Sequence, residues 1–165
     1  MKPIVSVFLY GKKTDLELAK SLWGDSTVTK LISANGSFNE NEIKERWSKE
    51  MIGQKIDNVQ YWPIFELQTN EHIGCCGLRP YDLDKKIFEI GIHLKSLYWG
   101  KGYASEAVEA VINYAFDELK ATNLFAGHHP DNNGSKHLLT KLGFKYSHNE
   151  YYSPTGLYHP SYFYH

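Results

Sequence analysis

Glu89 and His93 stand four residues apart in a run, residues 87–94, whose alternation reads as a β-strand. On a strand this spacing puts both on one face with Gly91, while Phe88, Ile90, Ile92 and Leu94 take the other. A carboxylate and an imidazole on the less apolar face can relieve an attacking amine of its proton, directly or through water. The plainer use of Glu89 is an ion pair with a nearby lysine or arginine. For His93 the backbone is the better functional candidate. Glu66, on a neighbouring strand, is a weaker candidate base.

Immediately after that strand the chain reads Trp99-Gly100-Lys101-Gly102-Tyr103-Ala104 and enters a strongly periodic segment. Glycine tolerates dihedrals that other residues resist and lets a ligand approach the backbone. The first turn of a helix adds unpaired N–H groups and the positive end of its dipole. Strand, glycine turn and helix start together suit a phosphate-bearing ligand. Neither a nucleotide-kinase loop nor a dinucleotide fingerprint fits, since no Gly-Lys-Ser/Thr occurs and Glu106 and Ala107 stand near where a third glycine belongs.

These groups need a scaffold. Residues 4–10 read as a strand, and Thr14-Asp15 as an N-cap for a short helix with Leu16, Ala19, Leu22 and Trp23 on one face. Residues 37–40 cap a second helix bearing Ile43, Trp47 and Met51. Residues 61–68 and 73–78 flank a turn at 69–72, and residues 83–86 turn the chain into 87–94. This predicts a meander of antiparallel strands. From Ala104, Ala107, Val108, Val111, Ile112, Ala115, Phe116 and Leu119 keep helical period. A strand at 124–128, a turn at 130–134, a helix at 135–142 ending on Gly143, and strands at 144–152 and 157–164 follow. The expectation is an α+β fold: a mixed, mostly antiparallel central sheet flanked by helices on both faces, one domain over residues 1–165.

Composition bounds the partners. Hydrophobic residues make up 42% and charged ones 22%, as in ordinary globular chains. A formal net charge of −1 supplies no global field for nucleic acid, although Lys95 and Lys101 could meet phosphates locally. Cys75 and Cys76, being adjacent, suit reduced thiols on opposite faces of a strand. The eight histidines are scattered, so no metal site is expected. No apolar run reaches membrane-spanning length, and the opening residues lack a secretory pattern, so a cytoplasmic protein is expected, with no membrane partner. A homodimer stays open. The tyrosines between Tyr151 and Tyr164 suit packing in an edge hairpin better than lining a cleft.

The loop Trp99-x-x-Gly102-x-Ala104 resembles the Arg/Gln-x-x-Gly-x-Gly/Ala pyrophosphate loop of GNAT (GCN5-related) N-acetyltransferases, in the style of the RimJ/RimL-type branch. Asn132-x-x-Ser135, followed by Lys141-Leu142-Gly143-Phe144, and the segment Gly74 to Leu78 resemble two further motifs of that branch, in the same order. The resemblance implies a GNAT-like sheet, acetyl-CoA as co-substrate and transfer to an amine acceptor: a protein N-terminus or a small amine such as a polyamine, amino acid or aminoglycoside. By resemblance, the backbone of Ile92, His93 and Leu94 would pair with the pantetheine arm. Amides of Trp99, Gly100, Lys101, Gly102, Tyr103 and Ala104 would hold the pyrophosphate. Asn132 and Ser135 would lie near the thioester, or serve only as turn and N-cap residues. A bulge in the 87–94 strand would aim an amide of Ile92 or His93 at the reacting carbonyl.

Two positions depart from the family. The tyrosine acid of many members falls at Leu139, leaving Ser135 or a C-terminal tyrosine to protonate the thiolate. The opening Val7 to Lys13 also lacks the usual pattern. A non-catalytic acyl-CoA-binding module is therefore the alternative. Acceptor chemistry sets the demand on the base. An α-amine with pKa near 8 is roughly one-tenth neutral at pH 7, whereas a lysine is neutral about once in a few thousand molecules. Residues 31–38 and the C-terminal tyrosines are the expected acceptor-reading segments.

Overall fold

The computed structural model describes residues 5–6 and 16–165. The strand expected at 4–10 is described only as β1 (Val5–Ser6), and the Thr14-Asp15 cap and the rest of the opening lie outside the described residues. Helices α1 (Leu16–Trp23), α2 (Ser26–Thr29) and α3 (Glu40–Asp57) follow. Asn39 starts α3 with a reciprocal capping box: its side chain accepts from the Glu42 amide at 2.9 Å, and Glu42 accepts from the Asn39 amide at 2.7 Å.

Strands β2 (Tyr61–Glu66), β3 (His72–Asp82) and β4 (Ile87–Leu94) form the antiparallel meander. A single 3-10 turn, Ser96–Tyr98, leads to helix α4 (Tyr103–Asp117). Strand β5 (Asn123–Gly127), helix α5 (Asn133–Lys141) and the hairpin β6 (Lys145–Tyr152) and β7 (Leu157–Tyr164) complete the chain. The seven strands among the described residues run in the order β1-β2-β3-β4-β5-β7-β6. Only β4 and β5 pair in parallel; every other neighbouring pair is antiparallel.

Helices cover both faces, as expected. On one face Ala107, Val108, Val111 and Ala115 of α4 and Leu139 of α5 pack with Ile64, Cys76, Leu78, Ile90 and Leu124 of the sheet. On the other, Ala19, Leu22 and Trp23 of α1 and Ile43 of α3 close over Tyr61 and Cys75. Cys75 and Cys76 thus enter different cores, both as buried free thiols. Burial pushes Cys75 up to about 12 and Cys76 well above its ordinary value.

The register of β3 on β4 runs unbroken from Gly74 opposite Leu94 to Pro80 opposite Phe88, and shifts only between Pro80 and Asp82. The bulge expected at Ile92 or His93 is therefore absent from β4. The extra residue is Tyr81 of β3, whose ring stacks on Phe125 at 4.2 Å between centroids. Helix α5 also begins earlier than Ser135, because Asn132 takes the capping role through its side chain.

Candidate active site

The parallel pair is short. Ile87, Phe88 and Glu89 of β4 pair with Asn123, Leu124 and Phe125 of β5, and there the pairing stops. Beyond Glu89, β4 stays with β3 up to Leu94, while Ala126 and Gly127 of β5 pair only with β7. The sheet splays open between the two strands. The Lys95 amide donates to the Ile73 carbonyl at 2.9 Å, so Lys95 faces β3. Alternation then turns the backbone of His93 toward β3 and that of Ile90, Ile92 and Leu94 into the opening. An unpaired strand edge is a row of donors and acceptors.

Because β4 and β5 are parallel, both C-terminal ends lie at the same end of the sheet, and a helix starts just beyond each. The glycine loop follows β4. Gly100 and Gly102 have φ of 70° and 84°, a region that strongly favours glycine, and a Cβ on either would meet nothing within 4 Å. Gly102 is the N-cap of α4 and offers no capping side chain; the first helical bond runs from the Glu106 amide to the Gly102 carbonyl at 3.3 Å. The preceding amides, from Gly100 to Ser105, thus face an open, electropositive helix start. Trp99 is half-exposed yet anchored, its indole N–H donating to the Leu94 carbonyl at 2.9 Å. Lys101 lies over the Tyr98 ring at 5.8 Å. Lys141 of α5, read from the sequence only as part of the Lys141 to Phe144 motif, brings its ammonium within 3.4 Å of Ser105 Oγ in the first turn of α4.

At the end of β5, Asn132 Oδ1 accepts from the Ser135 amide at 3.0 Å, so its carbonyl oxygen is committed to the helix start. The Ser135 side chain is half-buried and makes no hydrogen bond among the described residues. Leu139 is buried in the core, so no acid stands in the tyrosine's place.

The opposite face of β4 carries the titratable groups. Glu89 stands directly across from Arg79 in the register. The alternative use of Glu89, an ion pair with a nearby basic residue, is not seen among the described residues, because Arg79 Nη2 donates instead to Glu50 Oε1 at 2.6 Å. Glu50 is buried and also accepts from the Tyr61 amide at 2.7 Å. Glu89 makes no hydrogen bond or ion pair among the described residues. Burial first, then the Glu150 carboxylate, raises its pKa, against the opposing pull of Arg79 and Arg46. A half-buried carboxylate with a raised pKa and no committed partner suits a general base. Tyr61 lies over Gly91: a Cβ there would fall 2.1 Å from its hydroxyl.

His93 is structural in its side chain. Its Nδ1 accepts from the Trp23 indole at 3.0 Å, which fixes the neutral Nε2–H tautomer. Burial, with Arg46 and Arg79 nearby, holds its pKa well below the usual value. Glu66 is spent on a turn, accepting from the Thr69 amide at 2.6 Å, and Thr69, through its side chain first and its amide second, lowers the pKa of Glu66. No group of three metal-ligating side chains occurs among the described residues, and none of their helices is long and apolar enough to cross a membrane.

A second concavity, about 570 Å³, opens between α3, the 32–38 segment, the outer end of β3 and the β6–β7 turn. Arg46, Glu50 and Arg79 line it, with Tyr152 and Pro154 across from them.

The sheet thus splays after a short parallel pair, with a glycine loop and a helix start at the opening. The family profile described as Acetyltransferase (GNAT) domain matches residues 11–145, and the chain belongs to that family. It is 33% identical over 143 residues to the uncharacterized N-acetyltransferase p20 of Bacillus licheniformis, covering 81% of this chain and 77% of the relative. The crystal structure of a GNAT-family acetyltransferase from Bacillus anthracis superposes with a TM-score of 0.74 at 25% identity, covering 96% of this chain and 90% of that one. Spermidine N-acetyltransferase from Vibrio cholerae, determined in complex with CoA and spermine, shares the fold with a TM-score of 0.72 at 18% identity, over 96% and 91% of the chains. Family membership makes the protein an acetyltransferase rather than the non-catalytic alternative.

Proposed function

We propose that this chain is an acetyl-CoA-dependent N-acetyltransferase of the RimJ/RimL-type branch, a single domain over residues 1–165 that acetylates a primary amine by direct attack on the thioester. The observation that carries this reading is the β4 edge, bared just past an uncommitted Glu89 and leading into the glycine loop. The open space above Gly100 and Gly102 fits a pyrophosphate, and the free edge fits a pantetheine arm. Bound acetyl-CoA would supply the activated acetyl group.

The chain's own groups then divide the work. The Ile92 backbone and the Leu94 amide act as the missing strand's partner, with His93 between them anchoring β4 to β3 and the Leu94 carbonyl already held by the Trp99 indole. Amides from Trp99 to Ala104 hold the pyrophosphate, assisted by Lys101 and Lys141. The Ile92 N–H, directed into the opening, polarises the carbonyl. Glu89 takes the proton from the amine, and the Asn132 amide group orients the same end. The uncommitted Ser135 hydroxyl, at the N-terminal end of α5, donates toward the leaving sulfur. The branch assignment rests on the loop, on Asn132-x-x-Ser135 and on Lys141 to Phe144.

The test is Glu89→Gln. Turnover should fall by about 10²- to 10⁴-fold, the usual worth of a positioned base. Acetyl-CoA affinity, read by calorimetry, should stay the same. Normal rates across the pH range would remove Glu89 from the mechanism. Tight acetyl-CoA binding with no thiol release on any amine would sink the enzymatic reading.

A further inference from the structure

Arg46 has no place in the proton transfer above. It sits in the second turn of α3 and reaches the sheet, where its Cζ lies 4.8 Å from the Trp23 ring centroid, 5.6 Å from that of Phe38 and 5.8 Å from that of Tyr61. Its Nε is enclosed by protein and has no hydrogen-bond partner among the described residues. Aromatic faces offset only part of the cost of burying a guanidinium that lacks a counter-charge.

The expected counter-charges are present in sequence and absent in function. Helical partners of Arg46 stand four residues to either side, and both are glutamates. Glu42 is held in its capping box at 2.7 Å from the Asn39 amide. Glu50 is held by Arg79 at 2.6 Å and by the Tyr61 amide at 2.7 Å. Arg79 adds a second guanidinium beside the first; burial, then that neighbour, disfavour the charge on Arg46, and the pull of the shared Glu50 offsets only part of this. The other charged groups of α3 on this rim, Glu45 and Lys49, are exposed to water. Arg46 lines the cleft of about 570 Å³, a volume suited to a small ligand. Glu89 does not line this cleft but adjoins it: Arg79, on the cleft wall, stands directly across the strand pair from Glu89, and the Tyr61 ring beside Arg46 lies over Gly91, two residues on.

We infer that Arg46 seats an oxyanion carried by the acceptor, so that the amine acetylated is a small one bearing its own carboxylate or phosphate, an amino acid being the simplest. A planar guanidinium with unused donors recognises either group through paired hydrogen bonds. Anion and amine then approach from one side, the anion against Arg46 and the amine toward Glu89. Polyamines are disfavoured, since they would bring further positive charge to Arg46 and Arg79. This rests on the acetyltransferase reading and narrows its acceptor.

The test compares glycine, L-alanine, L-glutamate and O-phosphoethanolamine with glycinamide, L-alaninamide and spermidine, with kcat/KM expressed per neutral amine. Oxyanion-bearing acceptors should be preferred at least ten-fold, about 1.4 kcal/mol. Phosphoethanolamine against the amino acids separates phosphate from carboxylate. Arg46→Gln should bring the acid-to-amide ratio toward unity, and Arg46→Lys should keep part of it. Acetyl-CoA affinity should not move in either variant, and the lysine variant guards against loss of fold in the first. Calorimetric titration of the same amines into the CoA-saturated protein reads the site without turnover. Equal kcat/KM for acids and amides, or faster turnover of spermidine, would overturn the inference and leave the acetyltransferase reading intact. If no amine turns over, that reading falls, and the titration still judges Arg46: an acid that binds no better than its amide overturns it.

Discussion

Glu50→Gln removes the charge from the carboxylate that holds Arg79 while leaving an oxygen to accept the Tyr61 amide. Glu50 is 3% exposed and Arg79 Nη2 donates to it at 2.6 Å, so the change strands a guanidinium beside Arg46. Breaking a buried pair on one side costs about 3–5 kcal/mol. The Arg79 side chain is 36% exposed, so water repays part, and the expected loss is near the lower limit, about 3 kcal/mol. For a chain of this size that corresponds to a Tm lowered by about 6–12 °C. The freed Arg79 stands directly across the strand pair from Glu89 and should turn to it. An added cation lowers the pKa of Glu89, so the acid limb of the kcat–pH profile should move to lower pH. The assay is a thermal melt together with kcat across pH. Adding Arg79→Met removes the stranded charge, so the double variant should lose less stability than the two singles added together. Strict additivity, or a small Tm change with an unmoved acid limb, would refute the pairing of Glu50 with Arg79 as the device that leaves Glu89 uncommitted.

Gly102→Asp should weaken CoA affinity by ten-fold or more, about 1.4 kcal/mol or above, by setting a carboxylate at the helix start that faces the phosphates. Unchanged affinity in a folded protein would displace the pyrophosphate from this loop. His93 has a folded pKa held well below its unfolded value, so the unfolded chain binds the proton more readily. Its stabilising contribution is complete above about pH 6.5 and is lost as pH falls, by at most about 1.4 kcal/mol per unit. Denaturant unfolding at neutral and mildly acid pH should show this slope, and His93→Gln should flatten it.

Legibility followed apolar periodicity. Helix α4 was readable because one of its faces is apolar, and Ala107 to Ala115 lie in the core as their spacing requires, whereas β2 and β3, buried on both faces, were readable as short apolar runs between turn residues. The cofactor loop was readable because Gly100 and Gly102 mark left-handed backbone. Helix α3 shows where that stops. Its inward side carries Ile43 and Glu50, with Arg46 and Trp47 half-buried, while Ile52 and Ile56 face solvent. The stripe read from spacing holds, with Ile43 buried, Trp47 packed against the same core and Met51 half-buried, but an apolar stripe does not report the charged residues beside it, and Arg46 and Glu50 escaped notice. Arg79 was out of reach as well: pairing the strands straight through the 83–86 turn sets it opposite Ile90, and only the bulge at Tyr81 brings it across from Glu89. Its choice of Glu50 over Glu89 depends in turn on how α3 packs across the sheet. The short helix α2 lacks the length for any period and rests on the Asp25 cap.

Cys75 and Cys76 are neighbours in the chain, yet their thiols belong to separate cores. One strand is thus a wall shared by both halves of the molecule. Neither half can melt while the other keeps its share of β3, so unfolding should be all-or-none, without a half-melted species. A slip of β3 by one residue would exchange the contents of the two cores, sending Gly74, Cys76 and Leu78 beneath α1 and α3. Mispairing would therefore be penalised on both sides of the sheet at once, which gives the central strand a single tolerable alignment.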